Sequence, residues 1–192
     1  HTGTSELVAR VILYGTDALK PGERACCQFR FKTPVAVMAG DRYIVRRFSP
    51  LLTIGGGDIL DTSPVRRTKD EKLRELKTFE DGSLKEKLSL KILQSGLGGI
   101  TLSDLEGWIQ AEIPEIQSAV DSMISEKMLI RCEGMLIHKD VFNDFSNKAV
   151  TALVIFHKGN PLKHGMLKEA LRAMFRGLDQ KLFETLLGLV NQ

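Results

Sequence analysis

The stretch G-D-R-Y-I-V-R-R-F-S-P-L-L-T-I-G-G-G-D-I-L-D, Gly40 to Asp61, decides how the chain begins. Tyr43, Val45 and Arg47 alternate with Arg42, Ile44 and Arg46, the period of two that half-buries a strand. The segment reads as a β-hairpin: a strand over Arg42 to Phe48, a turn opened by Ser49-Pro50, and a second strand entered through Gly55-Gly56-Gly57. Three consecutive residues without Cβ abandon packing at those sites. They mark a bulge or a close approach of two backbones at a barrel corner. A triple glycine that cradles phosphate needs a helix N-terminus behind it. Here Asp58-Ile59-Leu60-Asp61 follows and Ser63-Pro64 ends the run, so the glycines are structural.

Working outward, Leu7 to Tyr14, Ala25 to Phe31 and Val35 to Met38 add three strand-like runs, punctuated by Gly15, Pro21-Gly22, Pro34 and Gly40. About five strands with short turns over residues 1–62 predict an antiparallel sandwich or barrel; the short length favours a small closed barrel. The pattern then changes. Thr68-Lys69-Asp70-Glu71 and Ser83-Leu84-Lys85-Glu86 are capping boxes that each open an amphipathic helix. A short helix capped by Thr101 runs to about Gln110, and Pro114 starts another, along which Ile116, Val120, Met123, Ile124 and Met128 form an apolar stripe. Two strand-like runs then flank Glu133-Gly134. Helices followed by a hairpin over residues 63–139 predict a winged helix. Residues 140–192 begin that pattern again: a helix from about Val141 to His157 carrying Val150, Leu153, Val154 and Phe156, then Leu167 to Phe175 and Asp179 to Val190. The expected second winged helix stops where its hairpin is due, and the chain opens at His1 without Met, so a fragment is expected.

Composition is that of an ordinary globular protein, 43% hydrophobic and 27% charged. No apolar run approaches the roughly 20 residues of a membrane span, and three cysteines without a C-x-x-C suit a reducing compartment, so the cytoplasm is expected. The four histidines form no metal pattern, and no Ser or Cys sits in a nucleophile motif. Gly159 to Met166 has five residues between its glycines and then Met, which is not a phosphate loop. Trp108 with Leu105 and Ile109 reads as core, not as a stacking platform. Catalysis by this chain is not expected.

Charge decides where nucleic acid is expected. Residues 63–140 hold 12 basic and 14 acidic side chains, and the would-be reading helix turns Glu115, Asp121 and Glu126 outward. An acidic face repels a polyanion, which argues for a spacer or protein-contact role. Basic residues gather elsewhere: Lys20 and Arg24 before the second strand, Arg42, Arg46 and Arg47 on the hairpin, then Lys163, His164, Lys168, Arg172 and Arg176. Lys168, Arg172 and Arg176 share a face by i, i+4 spacing; such a face is either simply solvated or an RNA contact. Tandem winged helices leave open a DNA-binding regulator, and a protein-interaction scaffold is the other alternative.

Taken together, H-T-G-T-S-E at the start, K-P-G before a strand, and D-R-Y-I-V-R-R-F-S-P…T-I-G-G-G-D-I-L-D resemble the third domain of the bacterial selenocysteine-specific elongation factors. That domain is similar to the barrel-forming third domain of elongation factor Tu. The run N-P-L-K-H-G-M-L-K-E-A-L-R resembles the linked winged helices of the same family. The resemblance implies an α+β multidomain fold: a small antiparallel β-barrel, then winged-helix domains. It implies a piece of a GTPase that delivers selenocysteinyl-tRNA to a ribosome at a recoded UGA codon. GTP and Mg belong to the parent chain, and no cofactor is expected in this part. The implied partners are selenocysteine-specific tRNA, the ribosome and, through domains not in this chain, an mRNA hairpin; a monomer without membrane contact is expected. By the same resemblance, the loop around Lys20, with Arg24, and the hairpin end at Arg47-Phe48 match the surface that touches the T-stem side of tRNA. Arg46 alternates to the opposite face, where it is a candidate ion-pair partner.

Overall fold

A computed structural model describes residues 1–3, 6–47, 49–65, 67–175 and 177–190. The chain divides into two compact units, His1–Lys87 with Glu106–Glu112, and Leu88–Leu105 with Ile113–Gln192.

The first unit holds two antiparallel ladders. Arg10–Leu13 (β1) pairs with Cys27–Arg30 (β2), Leu13 opposite Cys27. Arg42–Arg47 (β3) pairs with Leu52–Asp58 (β4), and Thr2 forms an isolated antiparallel bridge with Tyr43. The glycines lie within β4, not at its entrance. The register slips between Val45 and Arg46, opposite Gly55 and Thr53, which leaves Ile54 as the extra residue of a bulge. Close approach explains the next two glycines. A Cβ at Gly56 would stand 2.7 Å from the Tyr43 carbonyl oxygen, and one at Gly57 2.8 Å from the Tyr43 hydroxyl; at Gly55 nothing lies within 4 Å. Val35–Met38, expected as a strand, is not one; Ala39 instead makes a parallel bridge with Ile109.

Lys69–Asp81 (α1) starts at the Thr68 capping box, in which Thr68 and Glu71 satisfy each other's backbone N–H. Its inner face buries Lys72, Leu76 and Phe79, and Phe79 meets Trp108 edge-on at 5.3 Å. Trp108 is core, as its spacing predicts. Residues 106–112 are tied to the strands: Ala39 N–H donates to the Trp108 carbonyl (2.8 Å), Gln110 N–H to the Ala39 carbonyl (3.2 Å), and the Gln110 amide to Asp41. Asp61 and Glu75 flank the buried Lys72 ammonium at 3.5 and 3.6 Å, and Arg67 reaches Glu75 at 3.1 Å.

Leu84–Gln94 (α2) opens at the second capping box, Ser83 and Glu86, and its residues from Leu88 on belong to the second unit. Ile100–Thr101 (β5), Leu102–Trp108 (α3), Ile113–Ser125 (α4), Leu129–Cys132 (β6) and Met135–His138 (β7) follow. The sheet order is β5-β7-β6, all antiparallel. Ile116, Val120 and Met123 of the expected stripe are fully buried, with Leu88, Ile92, Leu105 and Leu136. Glu133 and Gly134 both take positive φ (51° and 79°), the pair a tight two-residue hairpin turn needs. These elements form a winged helix.

Lys139–Gly159 (α5), Lys168–Arg172 (α6) and Gln180–Leu189 (α7) complete the second unit. The buried side of α5 is Phe142, Phe145, Ala149 and Ala152, whereas Val150 and Val154 face outward. A core of Phe145, Ala149, Leu171, Leu178, Phe183 and Leu186 takes in Cys132 and Ile137 of the hairpin. Strand alternation puts Leu129 and Leu136 on the other face, so both faces of the β6–β7 hairpin are covered.

Candidate nucleic-acid interface

Lys20 opens the turn Lys20-Pro21-Gly22-Glu23 between β1 and β2. Gly22 takes φ 86°, the Glu23 N–H donates to the Lys20 carbonyl (3.1 Å), and the Lys20 N–H donates back to the Glu23 carboxylate (2.8 Å). Proline then glycine at the two central positions is what this turn type demands. The Lys20 and Arg24 side chains are exposed in this loop. Arg47 is exposed at the end of β3, opposite Leu52. Arg46 is also exposed, and among the described residues the ion pair of this ladder is Arg42 with Asp58 across the strands (3.8 Å). Phe48 and Arg176 lie outside the described residues. Arg172 is half-buried at the end of α6, a five-residue helix shorter than the expected Leu167 to Phe175.

The cations of the first unit stand on two ladders joined by a residue that sequence reading did not single out. The Tyr43 ring packs edge-on against Phe29 (4.9 Å), and its hydroxyl lies 3.9 Å from Cys27 Sγ. Desolvation raises the pKa of both the phenol and the Cys27 thiol, so both stay neutral. Tyr43 thus meets β2 beside the Lys20–Arg24 loop, while Arg47 stands four residues farther along β3, about 13 Å at strand rise. No hydrogen bond or ion pair among the described residues joins Lys20, Arg24 and Arg47 to one another. The spacing of Gly57 from a large aromatic on the partner strand was the signal available in the sequence.

Neither helix at the reading position of a winged helix offers a cationic face. On α4, Asp121 pairs with Arg131 (3.7 Å), and Ser122 donates to Glu126 (2.8 Å). On α7, Gln180 donates to Glu184 (3.1 Å), and Lys181 is held by Glu133 of the hairpin turn (2.5 Å). Thr185 donates to the same carboxylate (3.1 Å). The hydrogen bonds from Lys181 and then Thr185 hold Glu133 below the usual carboxylate range, and that to Glu133 holds Lys181 above its own. Glu133 at the hairpin tip thus holds Lys181 and Thr185 of α7, while Gln180 and Glu184 stay exposed. Among the described residues no cluster of His, Cys, Asp and Glu suits a metal ion, and no helix is long and apolar enough to cross a membrane.

Comparison with known proteins follows this division. Residues 1–66 match the family "Selenocysteine-specific elongation factor, beta-barrel domain", and residues 150–190 match "Elongation factor SelB, winged helix". The selenocysteine-specific elongation factor of Desulfomicrobium baculatum is 29% identical over 188 residues, covering 95% of this chain and 30% of that protein. A crystal structure of bacterial selenocysteine-specific elongation factor EF-Sec shares the fold over 94% of this chain and 31% of its own, with TM-score 0.61 and 18% identity. The chain thus spans under a third of the length of these relatives. Two domain descriptions of the selenocysteine-specific elongation factors match residues 1–66 and 150–190, in the order the strand and helix patterns require, and the chain is similar to a member of that family over most of its length.

Proposed function

We propose that this chain is the part of a GTP-dependent elongation factor that grips selenocysteinyl-tRNA through its strand domain and carries winged helices as a spacer. In this reading residues 1–62 are the barrel, 63–139 the first winged helix and 140–192 the beginning of a second. The parent chain delivers the tRNA to the ribosome at recoded UGA codons in the cytoplasm. GTP, Mg and the mRNA hairpin are handled by other domains of that parent. Lys20, Arg24 and Arg47 contact phosphates of the T-stem side, contributing affinity and little sequence information.

One observation carries the spacer reading and counts against a tandem DNA regulator: α7 is engaged by Glu133 at Lys181 and Thr185, and the outer face of α4 is acidic. Lys181 is the one basic side chain of α7, and its charge is already countered by Glu133. The exposed cations of the first unit offer an electrostatic footprint for a polyanion. Arg172, with Phe48 and Arg176, is a further candidate for RNA contact.

The test titrates labelled selenocysteine-specific tRNA against the chain at two salt concentrations, beside an ordinary elongator tRNA and an mRNA hairpin. Binding confined to the first tRNA is expected. Arg47→Ala should weaken it and lower the slope of log K against log salt by about one unit. An unchanged affinity at low salt would remove Arg47 from the interface, and absence of binding to any of the three would overturn the tRNA reading of this chain.

A further inference from the structure

We propose that Arg10 and Arg30 form a site that holds one backbone phosphate of RNA on the outer face of the β1–β2 ladder. The inference deepens the tRNA reading and rests on it for the source of the phosphate. The two arginines are register partners, directly opposite each other across the antiparallel pair. Side chains at such positions leave the same face of a sheet, roughly 5 Å apart at Cβ. Both are exposed. Ile12 and Gln28, paired two residues along, share this face. Val11, Leu13, Cys27 and Phe29 point to the other, where the Phe29 ring meets that of Tyr43 at 4.9 Å. The arginine face is therefore the one turned away from Tyr43.

Two guanidinium groups directly opposite each other work against the strand pairing, because like charges at such positions repel. No acid relieves this. Among the described residues no ion pair engages Arg10 or Arg30; the ion-paired acids of the first unit face other cations, Glu6 with His1, Asp58 with Arg42, and Asp61 and Glu75 with Lys72. Arg30 is aimed instead. Its Nε donates to the Gln28 side-chain oxygen on the same face (3.3 Å), which leaves the four N–H groups of its two terminal nitrogens for a ligand. Two oxygens of a phosphate accept from such a fork in bidentate geometry, and the guanidinium across the ladder reaches the same group. The rest of the face favours RNA over an acidic protein segment. Protein interfaces are anchored by aromatic or apolar side chains buried at their centre. Ile12, the one apolar residue of the four on this face, is already half-buried, whereas phosphate contacts need charge and no anchor.

The test uses the full 192-residue chain with Arg10→Gln, Arg30→Gln and the double variant. Arg42→Gln is the charge control, because its guanidinium already faces Asp58 (3.8 Å). Labelled selenocysteine-specific tRNA is titrated at two salt concentrations, with a short poly-Glu peptide beside it. Melting is followed at Trp108 with and without inorganic phosphate at constant ionic strength. Each single variant should weaken tRNA binding roughly fivefold or more and lower the slope of log K against log salt by about one unit. The double variant should lose less than the product of the singles, since both groups hold one phosphate. Arg42→Gln should change the affinity by less than about twofold. Phosphate should raise the melting midpoint of the native chain and leave that of the double variant unmoved. Without phosphate the Arg10 and Arg30 variants should melt no earlier than the native chain, since both side chains are exposed and a repulsion is removed. Unchanged tRNA affinity in both single variants, or an equal loss in Arg42→Gln, would overturn the proposal and leave the tRNA reading to Arg47. Absence of tRNA binding by the native chain would overturn both, and a phosphate effect still lost in the double variant would then mark the pair as a site for another anion. Poly-Glu binding lost in the variants while tRNA binding is kept would make the pair a protein contact.

Discussion

Gly55 and Gly56 are adjacent glycines in one strand, yet adding a methyl group to each should have opposite effects. At Gly56 the new Cβ would stand 2.7 Å from the Tyr43 carbonyl oxygen, with the Ile44 Cα and Cγ2 at 3.6 Å. The obstructing atom is backbone, so relief requires β3 and β4 to separate. Overpacking of this kind costs roughly 1–3 kcal/mol. Gly→Ala also restricts the unfolded chain, a stabilising contribution of roughly 0.4–1 kcal/mol at both positions. Neither glycine takes a positive φ, so alanine adds no backbone strain. Gly56→Ala should therefore be destabilised by about 1–2 kcal/mol net, and Gly55→Ala, with nothing within 4 Å, unchanged or stabilised by up to about 1 kcal/mol. Amide exchange read by NMR reports the ladder itself: β3 and β4 amides in Gly56→Ala should exchange roughly 5–30-fold faster, while those of Gly55→Ala keep or slow their rates. Urea unfolding followed at Trp108, the only tryptophan and part of the first unit, gives a second reading. Equal exchange rates in the two variants would refute the close-approach account of the glycine run.

Gly99→Ala should cost more, about 2–4 kcal/mol, because φ is +67° and the Cβ would meet Met135 Cβ at 2.9 Å and the Leu136 oxygen at 3.0 Å; thermal unfolding of the second unit measures it. Lys72→Met leaves the Asp61 and Glu75 carboxylates without their buried counter-charge and should destabilise the first unit by about 3 kcal/mol in urea titrations. The Glu133–Lys181 pair sets its own pH window. Glu133, depressed in the folded state, stabilises above its ordinary value of 4.5, and that contribution is lost as pH falls through the folded pKa; Lys181, raised, stabilises below 10.5 and loses its contribution as pH rises through the folded pKa. In an NMR titration Glu133 should protonate below the ordinary range, and in Lys181→Met it should move back toward that range.

Local elements were legible because their chemistry is local. The capping boxes at Thr68 and Ser83, the Glu133-Gly134 turn and the stripe Ile116, Val120, Met123 each satisfy backbone groups or bury a face within a few residues. The alternation along β3 was legible, but not which side is covered: Tyr43 and Val45 are half-buried, whereas Arg47 of the same set is exposed. Val35–Met38 failed as a strand because an apolar run of that length does not say which edge it will find. The apolar spacing of α5 pointed to Val150 and Val154, whereas the buried side runs through the smaller Ala149 and Ala152. Small residues are where two elements come closest, and hydrophobicity alone ranks them below valine.

By itself the sequence determined the resemblance to the selenocysteine-specific elongation factors, the succession of strand-like and then helical segments, and the acidic character of the first reading helix, since composition, period and motif are properties of one segment at a time. Only tertiary structure decided that Tyr43 closes the glycine run and joins two ladders, that residues 106–112 attach to Ala39 and Asp41, and that Glu133 reaches Lys181 forty-eight positions away. These are pairings between distant residues whose energies depend on separation, and separation in space is fixed by how the cores pack.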